Sequence, residues 1–189
     1  MAVLKYFFIS ILLITIPVTA NCAVPTWQIV KDKSTLNFIA IQNGAPVKGD
    51  FKSFTGNINF APDQLADSKV VIEVDINSIT LTDKDIESTL KSPEWFDIKL
   101  FPKAIFSADK FIKIGNAYQA GGELTINGKK IATKLSFNLD EYSDKLARAS
   151  GSLVIKRTVF TIGKGEWADT SSIKDDVKVE FKIEANRTN

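Results

Sequence analysis

Between residues 175 and 185 apolar and polar side chains alternate one by one. Val177, Val179, Phe181 and Ile183 interleave with Lys178, Glu180, Lys182 and Glu184. A period of two places the two sets on opposite faces of an extended strand. The pattern recurs at 34–42 (Leu36, Phe38, Ala40), 54–62 (Phe54, Gly56, Ile58, Phe60) and 68–79 (Val70, Ile72, Val74, Ile76). It returns at 133–141 (Leu135, Phe137, Leu139) and 150–160 (Gly151, Leu153, Ile155). β-Branched and aromatic residues dominate these runs, which strengthens the strand reading. A chain patterned this way must build a sheet with one dry and one wet face.

Turn residues separate the runs at 61–68, 114–122, 126–130 and 141–147. The third contains Asn127-Gly128, the strongest short hairpin signal. Connections this short favour antiparallel neighbours. One segment, 82–92, has a helical spacing, with Ile86 and Leu90 on one face. Thr82 or Asp83 would cap it and Pro93 would stop it. The expected fold is all-β: one antiparallel domain of about eight strands with a short helix near 82–92. A closed barrel removes exposed sheet edges. A sandwich satisfies the same periodicity. An eight-stranded barrel is wide enough to be filled by its own side chains or to hold one small ligand.

Composition excludes whole classes of chemistry. The 189 residues contain no histidine and a single cysteine, Cys22. Histidine-assisted nucleophiles, histidine-ligated zinc or iron and thiolate clusters are therefore outside its means. Neither a metal nor a cofactor is expected. Residues 1–20 carry one early lysine, Lys5, then an apolar run and small residues before Ala20. This is the layout of a secretory signal peptide, with cleavage between 20 and 23. Acylation at Cys22 is the rival reading, which Asn21 disfavours. Removing residues 1–20 takes one lysine and no acid, so 24 basic against 22 acidic residues become 23 against 22. That balance offers no electrostatic footprint for nucleic acid. No later segment has the length to span a membrane. The expected organisation is a signal peptide at 1–20 and one domain over 24–186.

The segment "LKSPEWFDIKLFPKAIF" (90–106) is unusually aromatic for a connection and is interrupted by Pro93 and Pro102. Connections normally run over the surface and are polar. The expectation is an irregular flap over one barrel mouth, with Leu90, Trp95, Phe96, Phe101 and Phe106 capping or lining an apolar cavity. The plainer reading makes these rings ordinary core.

Several stretches together resemble the YceI family: "GDFKSFTGNINF" (49–60), "VDINSI" (74–79), "LKSPEWFDIKLFPKAIFSA" (90–108), "GELTINGKK" (122–130) and "GEWADTSSIKDDVKVEFKIEA" (165–185). The most telling pieces are Trp95-Phe96-Asp97, Phe101-Pro102 and Phe106, and the resemblance runs from Trp27 to Ala185. It implies a lipocalin-like barrel, often periplasmic, whose lumen holds a polyisoprenoid such as an isoprenoid quinone. The ending 165–177 looks most like the subgroup related to domains fused to cytochrome b561-type membrane proteins. Many members carry histidines where this chain has Gln42 and near Thr89.

On that basis the wall of the binding site is expected to include Phe38, Ala40, Phe54, Ile58, Ile72 and Val74. From later strands it should draw Leu135, Phe137, Leu153, Ile155 and Phe181, with Val70, Leu124 and Val179 also facing inward. Phe160 and Trp167 are also counted among the ligand-binding residues, the latter packing down from a bulged turn at 162–167. Ala40, Gly56, Gly122 and Gly151 either leave room for a ligand or mark bends in the sheet. Arg157 interrupts an inward series. It would meet a ligand head group or, more plainly, form a rim ion pair with Asp75 or Asp97. Burying several hundred Å2 of a prenyl chain could gain on the order of 10 kcal/mol before ordering costs.

The resulting expectation is a periplasmic carrier of a polyisoprenoid lipid, not an enzyme, with the lipid as ligand. A homodimer, and a membrane redox or lipid-handling partner, are compatible with it. Two rivals stand beside it. One is a histidine-free enzyme using Arg157, Tyr118, Tyr142 or a carboxylate. The other is a filled barrel that works through its outer surface.

Overall fold

The computed structural model describes residues 23–189. The signal-like segment and Cys22 lie outside the described residues. The strands are β1 (Thr26–Ile29), β2 (Thr35–Gln42), β3 (Ala45–Phe51), β4 (Phe54–Asn59), β5 (Lys69–Asp75) and β6 (Ile79–Leu81). The helix α1 (Lys84–Leu90) follows, then β7 (Lys103–Ile114), β8 (Ala117–Ile126), β9 (Lys129–Tyr142), β10 (Leu146–Lys156) and β11 (Asp176–Arg187).

These strands make eight antiparallel staves. Three staves are broken in two: β1 with β2, β3 with β4, and β5 with β6. β11 pairs along its first half with β2 (Phe181 opposite Leu36) and along its second half with β1 (Trp27 opposite Arg187). That last pairing closes the ring and decides for a barrel over a sandwich. Closure leaves no long open edge.

The breaks have local causes. β5 stops at Asp75, whose Oδ1 accepts the Asn77 N–H at 3.0 Å. Ser78 Oγ donates to the Asp75 carbonyl at 2.6 Å and accepts from the Ser53 N–H at 2.9 Å. The Asp-x-x-Ser-Ile motif of 75–79 thus braces two broken staves against each other. The strand expected over 68–79 therefore ends early. The one expected over 150–160 likewise ends at Lys156, where a 3-10 turn takes over.

Helix α1 starts where its cap predicts. Asp83 accepts from the backbone N–H groups of Asp85 and Ile86, satisfying donors that the first turn leaves free. The Asn127-Gly128 hairpin forms with positive φ at both positions, 48° and 70°, as its tight turn demands.

The stretch 114–122 departs from expectation. Only Gly115 and Asn116 turn, and β8 begins at Ala117. Alanines and glycines hid its alternation, yet Tyr118 and Ala120 are buried inside the barrel. Opposite Gly121 and Gly122, β7 bulges between Ala108 and Lys110. The bulge shifts the phase by one residue, so Phe106, Ala108 and then Phe111 all face inward. Gly122 sits against it. A Cβ there would stand 1.9 Å from the Ser107 carbonyl oxygen. Gly122 therefore serves close backbone approach and leaves no room for a ligand. At Gly151 the space is taken by the Phe181 ring, 2.7 Å from where a Cβ would be.

An ionic network braces the outside. Glu184 accepts from Arg148 Nε at 2.8 Å and faces Lys33 at 3.0 Å. It joins β10, β11 and the turn between β1 and β2.

Candidate functional site

Along the barrel axis lies a cavity of about 290 Å3. Its wall is apolar except for Arg157, the single charged residue among the described residues that line it. Many inward side chains are only half-buried, including Leu135, Phe137 and Leu139 on β9 and Val177, Val179 and Phe181 on β11. They line the cavity. A barrel packed to ordinary interior density would bury them fully.

The core instead splits into two clusters at the two ends of the barrel. At the far end, Trp27, Phe60, Phe111 and Tyr118 form a plug. Phe60 packs with Phe111 at 5.5 Å and edge-on to Tyr118 at 5.7 Å between ring centres. Trp27 Nε1 donates to the Phe60 carbonyl at 2.9 Å, so its indole is fully satisfied.

At the near end the cluster contains Leu90, Trp95, Phe160, Ile162 and Ile173. Here the flap (91–102) meets the loop 161–174. Both Gly163 and Lys164 donate backbone N–H bonds to the Glu94 carbonyl, at 3.0 and 2.7 Å. Lys164 Nζ donates to the Pro93 carbonyl at 3.0 Å. Trp95 packs against Trp167 with ring centres 5.7 Å apart. The β8–β9 turn joins in, because Asn127 Nδ2 donates to the Trp95 carbonyl at 2.7 Å. Asp97 turns the flap back on itself with φ of 46°, and its carbonyl accepts from Leu100 and Phe101. The closure is thus built from backbone and side-chain donors that meet backbone carbonyls of the flap rather than from a regular ladder.

Arg157 sits beneath this closure and is 2% exposed. Its guanidinium donates to the carbonyls of Ile162 (3.0 Å), Asp169 (3.0 Å), Ile173 (2.9 Å) and Lys174 (3.3 Å). It also lies over the Trp95 ring at 5.7 Å, a cation–π distance. Burial lowers its pKa below the usual value, while Asp175 and Asp169 act in the opposite sense. The expected rim ion pair with Asp75 or Asp97 does not form. Arg157 instead ties together the ends of the 157–174 loop, as the planar guanidinium fork allows.

Most of the residues expected in the wall do line the cavity. Phe38, Ala40, Phe54, Ile58, Ile72 and Val74 line the cavity. So do Leu90, Trp95, Phe96, Phe106, Leu135 and Phe137, together with Leu153, Ile155, Arg157 and Phe181. Phe106 does so from strand β7 rather than from the flap.

Three expectations are corrected. Phe101 lies over the hairpin turn, its ring 2.9 Å from where a Gly128 Cβ would be, and stays outside the cavity. Phe160 is buried behind the wall, in the 3-10 turn that follows β10. Trp167 backs Trp95 from outside.

Sequence reasoning missed Trp27, Phe111, Ile126, Ile162 and Ile173. β1 is four residues long, too short to show a period, and Phe111 is out of phase because of the bulge. Ile162 and Ile173 lie outside any strand run, and Ile173 is held by a single bridge to Gln42. Thr89 Oγ1 donates to the Asp85 carbonyl. Neither Gln42 nor Thr89 lines the cavity. Nor do Tyr118 and Tyr142, the hydroxyls weighed for catalysis.

The YceI-like domain family matches residues 27–185. A crystal structure of BcnA from Burkholderia cenocepacia superposes with a TM-score of 0.79 at 30% identity, covering 82% of this chain and 98% of that one. A polyisoprenoid binding domain from Saccharophagus degradans, implicated in plant cell wall breakdown, shares the fold with a TM-score of 0.68. Identity there is 14%, over 88% of this chain and 100% of that one. A curated UPF0312 protein from Photorhabdus laumondii is 31% identical over 80 residues, 42% of either chain. The chain spans about half the length of such curated relatives, 42% here and 62% in a Vibrio cholerae protein.

Proposed function

The chain belongs to the YceI-like domain family, and from this premise we propose that it is a binding protein that holds a polyisoprenoid lipid in the barrel lumen. The observation that carries this reading is the apolar cavity of about 290 Å3 running between two packed ends. Prenyl chains are recognised by apolar contact alone, and this wall supplies that. The volume is at the low end for ligand pockets, which run from about 300 to 1,000 Å3. A long chain is therefore admitted by displacing the flap, which acts as a gate. The protein works by sequestering or carrying its cargo rather than by transforming it. Arg157, the one charged group in the wall, has most of its donors committed to backbone carbonyls.

We place the protein in the periplasm, on the signal-like pattern of residues 1–20. Fractionation of expressing cells tests this; recovery with the cytosol would overturn it. The carrier reading is tested by purifying the exported protein without detergent and extracting it for mass spectrometry. A stoichiometric isoprenoid is expected. A protein that carries none, and takes up neither added quinone nor polyprenol, would sink the reading in favour of a filled-barrel interaction module.

A further inference from the structure

Among the described residues, one buried side-chain polar atom has no hydrogen-bond partner: the indole nitrogen of Trp95. The residue is 6% exposed. Such a group is unusual, because buried donors are almost always paired and an unpaired one forfeits its hydration for nothing. Trp27 provides the internal comparison, since its indole is equally buried and is bonded to the Phe60 carbonyl. Trp95 also differs in place: both indoles line the cavity, but Trp95 does so from the flap itself, in the cluster at the other end of the barrel from Trp27. The Trp95 carbonyl is held by Asn127, one neighbour is Trp167, and the Arg157 cation lies over its ring.

We propose that the Trp95 indole N–H is the polar anchor for the cargo, donating to an oxygen at one end of the bound isoprenoid. This rests on the lipid-carrier reading and narrows it in two ways. First, the cargo carries an acceptor oxygen, as a quinone or a prenyl phosphate does, and is not a pure hydrocarbon. Second, its orientation is set. The oxygen end lies under the flap beside Trp95, and the tail runs toward the plug of Trp27 and Phe60. The Arg157 guanidinium strengthens the choice, because no carboxylate among the described residues is bonded to it. Asp175 and Asp169 offset part of its charge from a distance, and the remainder favours electron-rich oxygen at that end. At the far end the described residues that line the cavity offer a tail only apolar side chains and the already satisfied Trp27.

The test compares delipidated protein with its Trp95→Phe variant, which keeps a ring and removes the donor. Each is titrated with an isoprenoid quinone, a polyprenyl phosphate and squalene. The wild type should prefer the oxygen-bearing ligands over squalene, and Trp95→Phe should lose about tenfold in affinity for them while binding squalene unchanged. Whichever oxygenated ligand loses more identifies the head group. Equal loss for all three ligands, or no loss for any, would overturn the anchor. A wild type that binds squalene and quinone equally well would overturn it too, while leaving the carrier reading intact. A wild type that binds none of them removes both. Should Trp95→Phe fold poorly, the indole N–H resonance of Trp95 in the wild type decides. It should move on addition of quinone or prenyl phosphate and stay in place with squalene; the opposite result refutes the proposal.

Discussion

Asn127, in the β8–β9 turn, donates from Nδ2 to the carbonyl oxygen of Trp95 at 2.7 Å, and both residues are buried. The most predictable turn in the sequence thereby holds the most irregular segment of the fold. Asn suits the position twice over. It tolerates the positive φ of 48° and supplies the donor. Asn127→Ala should lose about 2–3 kcal/mol, through backbone strain and the unpaired carbonyl together. Asn127→Gly, which relieves the strain, should lose only about 1 kcal/mol. Urea unfolding of the two variants separates the contributions, and both should release cargo faster than the wild type.

Arg157 cannot be replaced by lysine without cost. A lysine ammonium cannot reach the four carbonyls that the guanidinium fork holds. Arg157→Lys should destabilise the protein by about 3 kcal/mol, because it leaves several buried acceptors unpaired. The unfolding midpoint checks this. A variant as stable as the wild type would mean that the loop 157–174 is held by other contacts.

The acid side of the stability curve should carry a signature of Glu87. Its Oε2 accepts from Lys84 Nζ and from the Leu81 N–H, and Oε1 faces Lys91, which ties α1 to β6. Lys84 chiefly, then the Leu81 N–H and Lys91, hold its pKa down to about 2, against an ordinary value of 4.5. The folded value lies below the unfolded one, so this stabilisation is complete above about pH 4.5 and fades as pH falls toward 2. Glu87→Gln should therefore weaken the protein at neutral pH and converge with the wild type near pH 2. Thermal melts across that window read the convergence; parallel curves would contradict it.

Filling the lumen should separate folding from binding. Ala40 lies on β2, faces the cavity and is half-buried. Ala40→Phe should place a ring where cargo would lie. Denying the chain roughly 60 Å2 of apolar contact costs about 1.5 kcal/mol, close to a tenfold loss of affinity. Cavity filling of this kind usually preserves or raises stability. Lipid titration together with a thermal melt is the measurement, and loss of the fold alongside binding would argue against an open lumen at this site.

Legible in the sequence alone were the runs that become β2, β4, β5, β9, β10 and β11, the short helix with Asp83 as one of two candidate caps, the Asn127-Gly128 hairpin and much of the inward-facing wall. These follow from local rules. A strand alternates with period two wherever it sits, and cap and turn residues answer to their own backbone. Phe38, Leu135 and Phe181 could be assigned inward on that ground alone. The remaining features depend on contacts between distant parts of the chain. Closure depends on β1 meeting β11 across most of the chain's length, through a strand of four residues too short to signal itself. The bulge at Asp109 reverses the phase that would have revealed Phe111. The partners of Arg157 are backbone carbonyls, which look alike in every sequence, so no pattern could name them. The indole N–H of Trp95 is buried with no acceptor in hydrogen-bond reach among the described residues, and that is a property of three-dimensional packing rather than of any local run of residues.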